Sequence, residues 1–126
     1  MKMIDFLRGR LASFGPAFSG MAYVLRTQPN AWVHGFVTLA VVVLGLWLRV
    51  GLGDWVLLAV AVGLVWVAEF FNTALEAIVD LASPQQHPLA KAAKDVSAAA
   101  VVLAALTSSV LGVLVLGPPL WARLFG

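Results

Sequence analysis

The chain has 126 residues, of which 62% are hydrophobic and 11% are charged, whereas soluble domains have about 45–50% and about 25%. A soluble core of this size cannot bury so much apolar surface, so we expect a single domain, residues 1–126, of an integral membrane protein. The net charge of +2 is too small to indicate nucleic-acid binding, and the absence of cysteine excludes disulfides and thiolate metal sites.

Residues 1–28 are predicted to lie on the membrane surface. An amphipathic helix is expected over residues 1–14, because basic side chains stand beside apolar ones that recur at helical spacing. These apolar residues are Ile4, Leu7, Leu11 and Phe14. We expect Gly15 and Pro16 to break this helix, and a second short interfacial helix to cover residues 17–26.

Three long apolar runs predict three transmembrane helices, over residues 31–50, 55–79 and 96–116. Pro29 suits the first turn of the first span, where its missing N–H is not needed. A tight connection is expected at 51–54 and a longer polar connection at 80–94.

Two further features of the spans can be predicted. The Gly-Pro-Pro sequence at 117–119 is expected to end the third span, because proline cannot continue the helical hydrogen bonds. Tryptophans near span ends are typical of the membrane interface. We therefore interpret all five as interface anchors or lipid-packing residues: Trp32, Trp47, Trp55, Trp66 and Trp121.

The basic residues are divided unevenly between the two sides of the predicted membrane. Six accompany the N-terminus and the 80–94 connection, and two lie on the opposite side. They are Lys2, Arg8, Arg10, Arg26, Lys91 and Lys94, against Arg49 and Arg123. Because basic residues favour the cytoplasmic side, we expect a cytoplasmic N-terminus.

An acidic stripe follows the apolar part of the second span. On a helix, Glu69, Glu76 and Asp80 fall within about 40° of one another, and Asn72 lies about 60° away. Ionisable groups at a membrane helix end are costly to bury and usually functional. The alternative is a helix that has emerged into the cytoplasm and carries ordinary solvated acids. By itself the stripe indicates a cation or proton site at a cytoplasmic membrane boundary.

Two charged residues at the start of the third span, Lys94 and Asp95, are expected at the same membrane depth as the acidic stripe. Together the two segments provide oxygen ligands of the kind that Mg²⁺ prefers and a donor for phosphate. Positioning and charge neutralisation are the main requirements of phosphoryl transfer.

The spacing of these residues resembles a known family. The motifs are Glu69-x-x-Asn72-Thr73-Ala74-x-Glu76-x-x-x-Asp80 and Ala93-Lys94-Asp95-x-x-Ala98-Ala99-Ala100-Val101. They are similar to the prokaryotic diacylglycerol kinase and undecaprenol kinase family, over nearly the whole chain. The resemblance implies an all-α, homotrimeric kinase of the bacterial inner membrane. It would transfer the γ-phosphoryl group of ATP to a membrane lipid alcohol, with sites shared between neighbouring protomers.

The resemblance also implies roles by position. Glu69 corresponds to the general base, Glu76 to a carboxylate that binds Mg²⁺ and the nucleotide, and Asn72 to a residue that orients phosphate or water. Asp80 is interpreted as structural. The other residues expected to contact the nucleotide are Gln85, Gln86, His87, Lys94 and Asp95.

Gln28 departs from the family pattern, since a second metal-binding Glu is common at this position. An amide oxygen can bind Mg²⁺ without charge, so the ligand set stays open. Asn30 and His34 resemble residues of the undecaprenol-kinase branch and favour a polyprenol substrate over diacylglycerol. A histidine near a helix start can equally be a hydrogen-bonded interfacial residue.

Three classes of function remain open from the sequence. The first is the lipid kinase. The second is a catalytically silent relative that only binds nucleotide or lipid, which Gln28 would favour. The third is an ion or proton translocator that uses the acidic stripe as a relay, but neither the first nor the third predicted span has an acid in its interior.

Overall fold

Five α-helices account for nearly all of residues 2–126, the part of the chain that the computed structural model describes, and no strand is present there. The helices are α1 (Lys2–Ala12), α2 (Phe14–Thr27), α3 (Pro29–Leu48), α4 (Leu52–Ala82) and α5 (Pro88–Phe125). Within this described part, α3, α4 and α5 are long and apolar enough to cross a membrane. The predicted all-α membrane fold with three spans is therefore confirmed.

The break between the two N-terminal helices lies at Ser13, so the predicted break at Gly15 and Pro16 is wrong. Both residues belong to the first turn of α2, where a proline removes no helical hydrogen bond. Large apolar side chains of α1 and α2, including Phe6 and Phe18, are exposed, as a membrane-surface location requires.

The connection between α3 and α4 is shorter and earlier than expected. Arg49 ends α3 in the left-handed conformation with φ of 54°, and its N–H donates to the carbonyls of Gly45 and Leu46. The predicted turn residues Gly53 and Asp54 lie in α4 instead. Asp54 accepts a hydrogen bond from the N–H of Gly51 at 3.3 Å, which stabilises the first turn.

The connection between α4 and α5 covers only residues 83–87, so most of the predicted 80–94 segment is helical. Pro88 occupies the first position of α5, where proline starts a helix rather than blocking it. The Nδ1 atom of His87 accepts a hydrogen bond from the N–H of Leu89 at 3.1 Å and caps this helix. As a result, the lysines of this segment stand on a rigid helical turn.

The third spanning helix does not end at the Gly-Pro-Pro sequence, because α5 continues through Pro118 and Pro119 to Phe125. Membrane helices tolerate proline when the surrounding protein holds the chain in place. Here the turn that precedes the prolines is buried: Val115 and Leu116 pack against Leu58 of α4. This packing fixes the path of the helix where two backbone donors are missing.

The same apolar cluster is in contact with one tryptophan that was predicted to be an interface anchor or a lipid-packing residue. Trp55 is half-buried and packs against the cluster around Leu58. It also lies against Gly45 of α3, where an added Cβ atom would meet the ring at 2.6 Å. A second inter-helix contact joins α5 to α4, since the hydroxyl of Ser108 donates to the carbonyl of Ala61 at 2.7 Å.

Candidate functional site

One face of α4 carries buried polar side chains beyond the apolar part of the span. The exposed fractions are 1% for Glu69, 8% for Asn72 and 4% for Thr73. Residues three, four and seven apart share a helix face, so Glu76 lies on the same side. Because Glu69 is buried, the alternative of ordinary solvated acids does not hold for the first member of the stripe.

The two carboxylate oxygens of Glu69 have different surroundings. Oε2 lies 3.3 Å from Nε2 of His34 in α3. Oε1 is buried and has no hydrogen-bond partner among residues 2–126. The hydroxyl of Thr73 donates to the backbone carbonyl of Glu69 at 2.8 Å and leaves the carboxylate untouched. Buried polar atoms rarely lack a partner, so Oε1 is an unused acceptor on the polar face of α4.

The ring of His34 packs against Trp66, and Thr38 connects Trp66 to the backbone of α3. Trp66 of α4 packs edge-on against the ring, with ring centroids 6.1 Å apart and an interplanar angle of 69°. The indole N–H of Trp66 donates to Oγ1 of Thr38 at 3.0 Å, and the Thr38 hydroxyl donates to the carbonyl of His34 at 2.7 Å. Trp66 is therefore an inter-helix contact, a role that its prediction as an interface anchor or lipid-packing residue did not include.

Asn72 links α5 to the next carboxylate of the stripe. Its Oδ1 accepts a hydrogen bond from the hydroxyl of Ser97. Its Nδ2 donates to Oε1 of Glu76 at 3.3 Å. Both ends of the amide are engaged, so the side chain and the orientation of Glu76 are fixed together.

Two ion pairs lie beyond this network, near the 83–87 connection. Lys94 contacts Asp80 at 2.5 Å, and Lys91 contacts Asp95 at 2.5 Å. The hydrogen bond to Asp80 raises the pKa of Lys94, which precedes the apolar part of α5, so its ammonium group is charged at neutral pH. Both pairs are substantially exposed and are weak constraints that a ligand can replace.

A polar depression of about 680 Å³ lies between the end of α4 and the start of α5. Its lining combines neutral donors and acceptors with two ammonium groups and one carboxylate. The polar lining residues are Asp80, Ser83, Gln85, Gln86, His87, Lys91 and Lys94. Four of the five predicted nucleotide contacts of this segment are thus brought together. Asp95 is not part of the lining and pairs with Lys91 instead.

An apolar groove of about 600 Å³ runs between α3, α4 and α5 toward the opposite side of the bundle. His34 lines the groove at the end where Glu69 lies, and Leu120 lines it near the far end of α5. Most of the remaining wall is aliphatic, and examples are Val37, Val65 and Leu116. The groove is suited to a hydrocarbon chain.

The residues predicted before the first span do not join this site within the chain. Gln28 is half-buried at the start of α3, and Asn30 is exposed on its first turn. Among the hydrogen bonds of residues 2–126, neither side chain contacts Glu69 or Glu76. Over the same residues, no group of three or more His, Asp or Glu side chains could hold a metal ion.

Three contacts of the site were not foreseen from the sequence: His34 to Glu69, Ser97 to Asn72, and Trp66 to Thr38. For two of these contacts, one member lies one helical turn from a residue that was already assigned to the site. Ser97 follows Lys94 by one helical turn, and His34 follows Asn30 by one turn. The partner of each is on another helix, and sequence spacing does not carry that information.

The sequence was compared with known proteins. Residues 15–116 match the family model described as prokaryotic diacylglycerol kinase. A diacylglycerol kinase of Synechocystis is 41% identical over 111 residues, which cover 87% of this chain and 63% of that protein. An undecaprenol kinase of Bacillus subtilis is 36% identical over 108 residues, covering 86% and 88%. A diacylglycerol kinase of Escherichia coli is 36% identical over 85 residues, covering 62% and 70%. The chain therefore spans less than two thirds of the Synechocystis relative and most of the Bacillus one.

Proposed function

The chain belongs to the prokaryotic diacylglycerol kinase family, and on this premise we propose that it is an ATP-dependent lipid kinase. The acceptor would be the hydroxyl of diacylglycerol, giving phosphatidic acid, or of undecaprenol, giving undecaprenyl phosphate. The observation that carries the proposal is the carboxylate of Glu69, which is 1% exposed and has one oxygen without a partner. A general base for a lipid hydroxyl needs such an acceptor at a boundary that both substrates can reach.

The two cavities suit the two substrates, and α4 connects them. The apolar groove reaches His34, which contacts Glu69, and the polar depression begins at Asp80. Glu69 and Asp80 are separated by about 16 Å along the helix, at 1.5 Å per residue. A nucleotide in the depression would extend its phosphates past Glu76 and Asn72 toward Glu69. The lipid hydroxyl would approach Glu69 from the groove.

The proposed step is an in-line phosphoryl transfer. The O–H bond of the lipid alcohol breaks as its proton passes to Oε1 of Glu69, and the lipid oxygen forms a bond to the γ-phosphorus. The bond between the γ-phosphorus and the β–γ bridging oxygen breaks, and ADP leaves with that electron pair. Lys94 would neutralise phosphate charge, and the Asn72 amide would orient the transferred group.

The oxygen-bearing side chains of this site are of the kind that binds Mg²⁺. In kinases it is usually held by one or two carboxylates together with substrate phosphates and water. Glu76, oriented by Asn72, would supply the carboxylate, and Gln28 would be an additional uncharged oxygen ligand. When bound, the ion would screen the negative charge between the nucleotide phosphates. Gln28 does not contact Glu76 within the chain, so it would reach the metal only if, as we propose, the chain forms a homotrimer whose sites are shared between protomers.

We propose further that the N-terminus is cytoplasmic and that undecaprenol is the preferred lipid. A cytoplasmic N-terminus would place the depression where ATP is available, and the six-to-two division of basic residues supports this orientation. Asn30 and His34 favour undecaprenol over diacylglycerol. The similarity to a Bacillus protein named undecaprenol kinase, over 88% of that protein, is consistent with this preference.

The experiment is a phosphorylation assay with the protein in detergent micelles and in bilayers. Diacylglycerol and undecaprenol are each supplied with Mg²⁺ and γ-labelled ATP, and labelled lipid is quantified. We expect the wild type to phosphorylate at least one of the two, and Glu69→Gln to lose about 100-fold or more in kcat. Asp54→Asn, an acid on α4 far from the site, is the matched control and should keep its activity.

The outcomes separate the candidate functions. Full activity of Glu69→Gln would remove Glu69 as the base. Nucleotide binding without phosphorylation of either lipid would identify a silent relative and overturn the proposed kinase.

A further inference from the structure

We propose that His34 is a positioning residue that holds one carboxylate oxygen of Glu69 and thereby presents the other to the lipid hydroxyl; this rests on the proposed kinase function. The two oxygens are already distinguished, since Oε2 contacts Nε2 of His34 at 3.3 Å and Oε1 has no partner. No other side chain of residues 2–126 makes a hydrogen bond to this carboxylate. His34 is therefore its only polar anchor in that part of the chain.

A carboxylate without an anchor can rotate about its terminal torsion, which has a broad energy profile. For proton transfer, the accepting oxygen must lie within hydrogen-bond reach of the hydroxyl. A donor on Oε2 restricts this rotation and leaves Oε1 as the accepting atom. With Glu69 ionised, Nε2 of His34 carries the hydrogen and donates it to Oε2.

The ring of His34 is supported by Trp66, whose indole is in turn held by Thr38. Trp66 packs edge-on against the ring of His34 and donates its indole N–H to Thr38 at 3.0 Å. Thr38 donates to the carbonyl of His34 at 2.7 Å. Since Trp66 precedes Glu69 by about one turn of α4, the same helix carries the carboxylate and the side chain that holds its anchor. The geometry is thus maintained by α3 and α4 together.

His34 also lines the apolar groove, so it could act on the lipid instead of on Glu69. The two roles affect different kinetic constants. Loss of a lipid contact raises the KM for the lipid, whereas a misplaced base lowers kcat with little change in the KM for either substrate. Whether kcat or the KM for the lipid changes therefore decides between the two roles.

The test compares three substitutions in the full-length protein, assayed with Mg²⁺-ATP and whichever lipid the wild type phosphorylates. His34→Ala removes the donor, His34→Leu removes it while filling the space beside Trp66, and His34→Gln keeps an N–H at a similar reach. We expect His34→Ala and His34→Leu to lose about 10- to 100-fold in kcat, as for loss of a hydrogen bond to an ionised group. His34→Gln should recover most of the rate.

Phe36→Ala serves as the control, because Phe36 is 73% exposed on the same helix and does not line the groove. A second measurement is the double variant with Glu69→Gln. If His34 acts through Glu69, adding His34→Leu to Glu69→Gln should change the residual rate by less than about twofold.

Three results would overturn the inference: wild-type kcat in His34→Leu, an equal loss in His34→Gln and His34→Leu, or an increase confined to the KM for the lipid. Failure of the proposed function is distinguishable from all three. In that case the wild type itself phosphorylates neither lipid, or Glu69→Gln is fully active.

Discussion

The hydroxyl of Ser97 in α5 donates a hydrogen bond to the amide oxygen of Asn72 in α4. Because the other end of the amide donates to Glu76 at 3.3 Å, this contact connects the second and third spanning helices through the acidic stripe. Asn72 is 8% exposed, so an amide that lost this partner would have little water to replace it.

Ser97→Ala should lower kcat while leaving the fold intact. The Asn72 amide would lose one of its two fixed contacts and orient the phosphate less well. A neutral hydrogen bond is worth about 0.5–1.5 kcal/mol, which corresponds to about a twofold to tenfold effect. Ser13→Ala is the control, because the Ser13 hydroxyl contacts the carbonyl of Gly9, four residues earlier, at 3.0 Å and Ser13 lines neither cavity. Equal rates for both variants would contradict the positioning of Asn72 by Ser97.

Lys94→Met should raise the KM for ATP strongly and shift the thermal unfolding midpoint only slightly. The ammonium is expected to bind phosphate, while its pair with Asp80 is exposed and contributes little to folding. Asp80→Asn frees Lys94 from its partner and should keep ATP affinity or improve it. The measurement is ATP-dependent kinetics together with thermal unfolding in detergent. A similar loss of ATP affinity in both variants would show that the pair, and not the lysine alone, forms the site.

The charge of Lys94 also gives a pH prediction. Its pKa is raised above the ordinary 10.5 by the hydrogen bond to Asp80. A raised lysine pKa contributes stability below the unfolded value and loses it only as pH rises through the folded value. Between about pH 6 and pH 9 the contribution of Lys94 to ATP binding should therefore be constant. A KM for ATP that differs in pH dependence between the wild type and Lys94→Met within this range would contradict it.

Gln28→Glu should lower the Mg²⁺ concentration needed for half-maximal activity. The substitution adds a charged oxygen ligand where the family commonly has one, and carboxylates bind Mg²⁺ better than amides do. Chelation of Mg²⁺ should abolish activity in both proteins. Titration of the ion in the lipid phosphorylation assay is the measurement. An unchanged Mg²⁺ requirement would indicate that residue 28 does not reach the metal.

Gly45→Ala should destabilise the bundle by about 1–3 kcal/mol, the usual cost of overpacking. Its added Cβ atom would lie 2.6 Å from the Trp55 ring, which is confined by the cluster around Leu58. Gly63→Ala is the matched control, since its Cβ atom would meet nothing within 4 Å, and alanine is the better helix former. Unfolding in detergent should rank Gly45→Ala well below both the wild type and the control.

The length and apolar character of the runs were enough to predict three spanning helices, and Pro29 marked the start of the first. The errors in the helix bounds involve proline or glycine near helix ends. Pro16 and Pro88 occupy first turns, and Pro118 and Pro119 continue a helix whose preceding turn is packed. Proline in a sequence removes a donor, but only the surrounding packing determines whether the helix ends there.

The site was predictable to the extent that it lies on one helix. The 3.6-residue period placed Glu69, Asn72 and Glu76 on one face of α4. What opposes that face depends on how α3 and α5 are rotated about their own axes, so the contacts of His34 and Ser97 could not be obtained from spacing.

The burial of Glu69 also affects how much ATP is hydrolysed without phosphorylation of a lipid in the proposed reaction. Water is itself a phosphoryl acceptor and far more abundant than any lipid alcohol. A base that is 1% exposed cannot readily activate a water molecule from the cytosol. A lipid alcohol that enters the apolar groove reaches His34, which contacts Glu69, so hydrolysis of ATP without lipid should be slow in comparison with lipid phosphorylation.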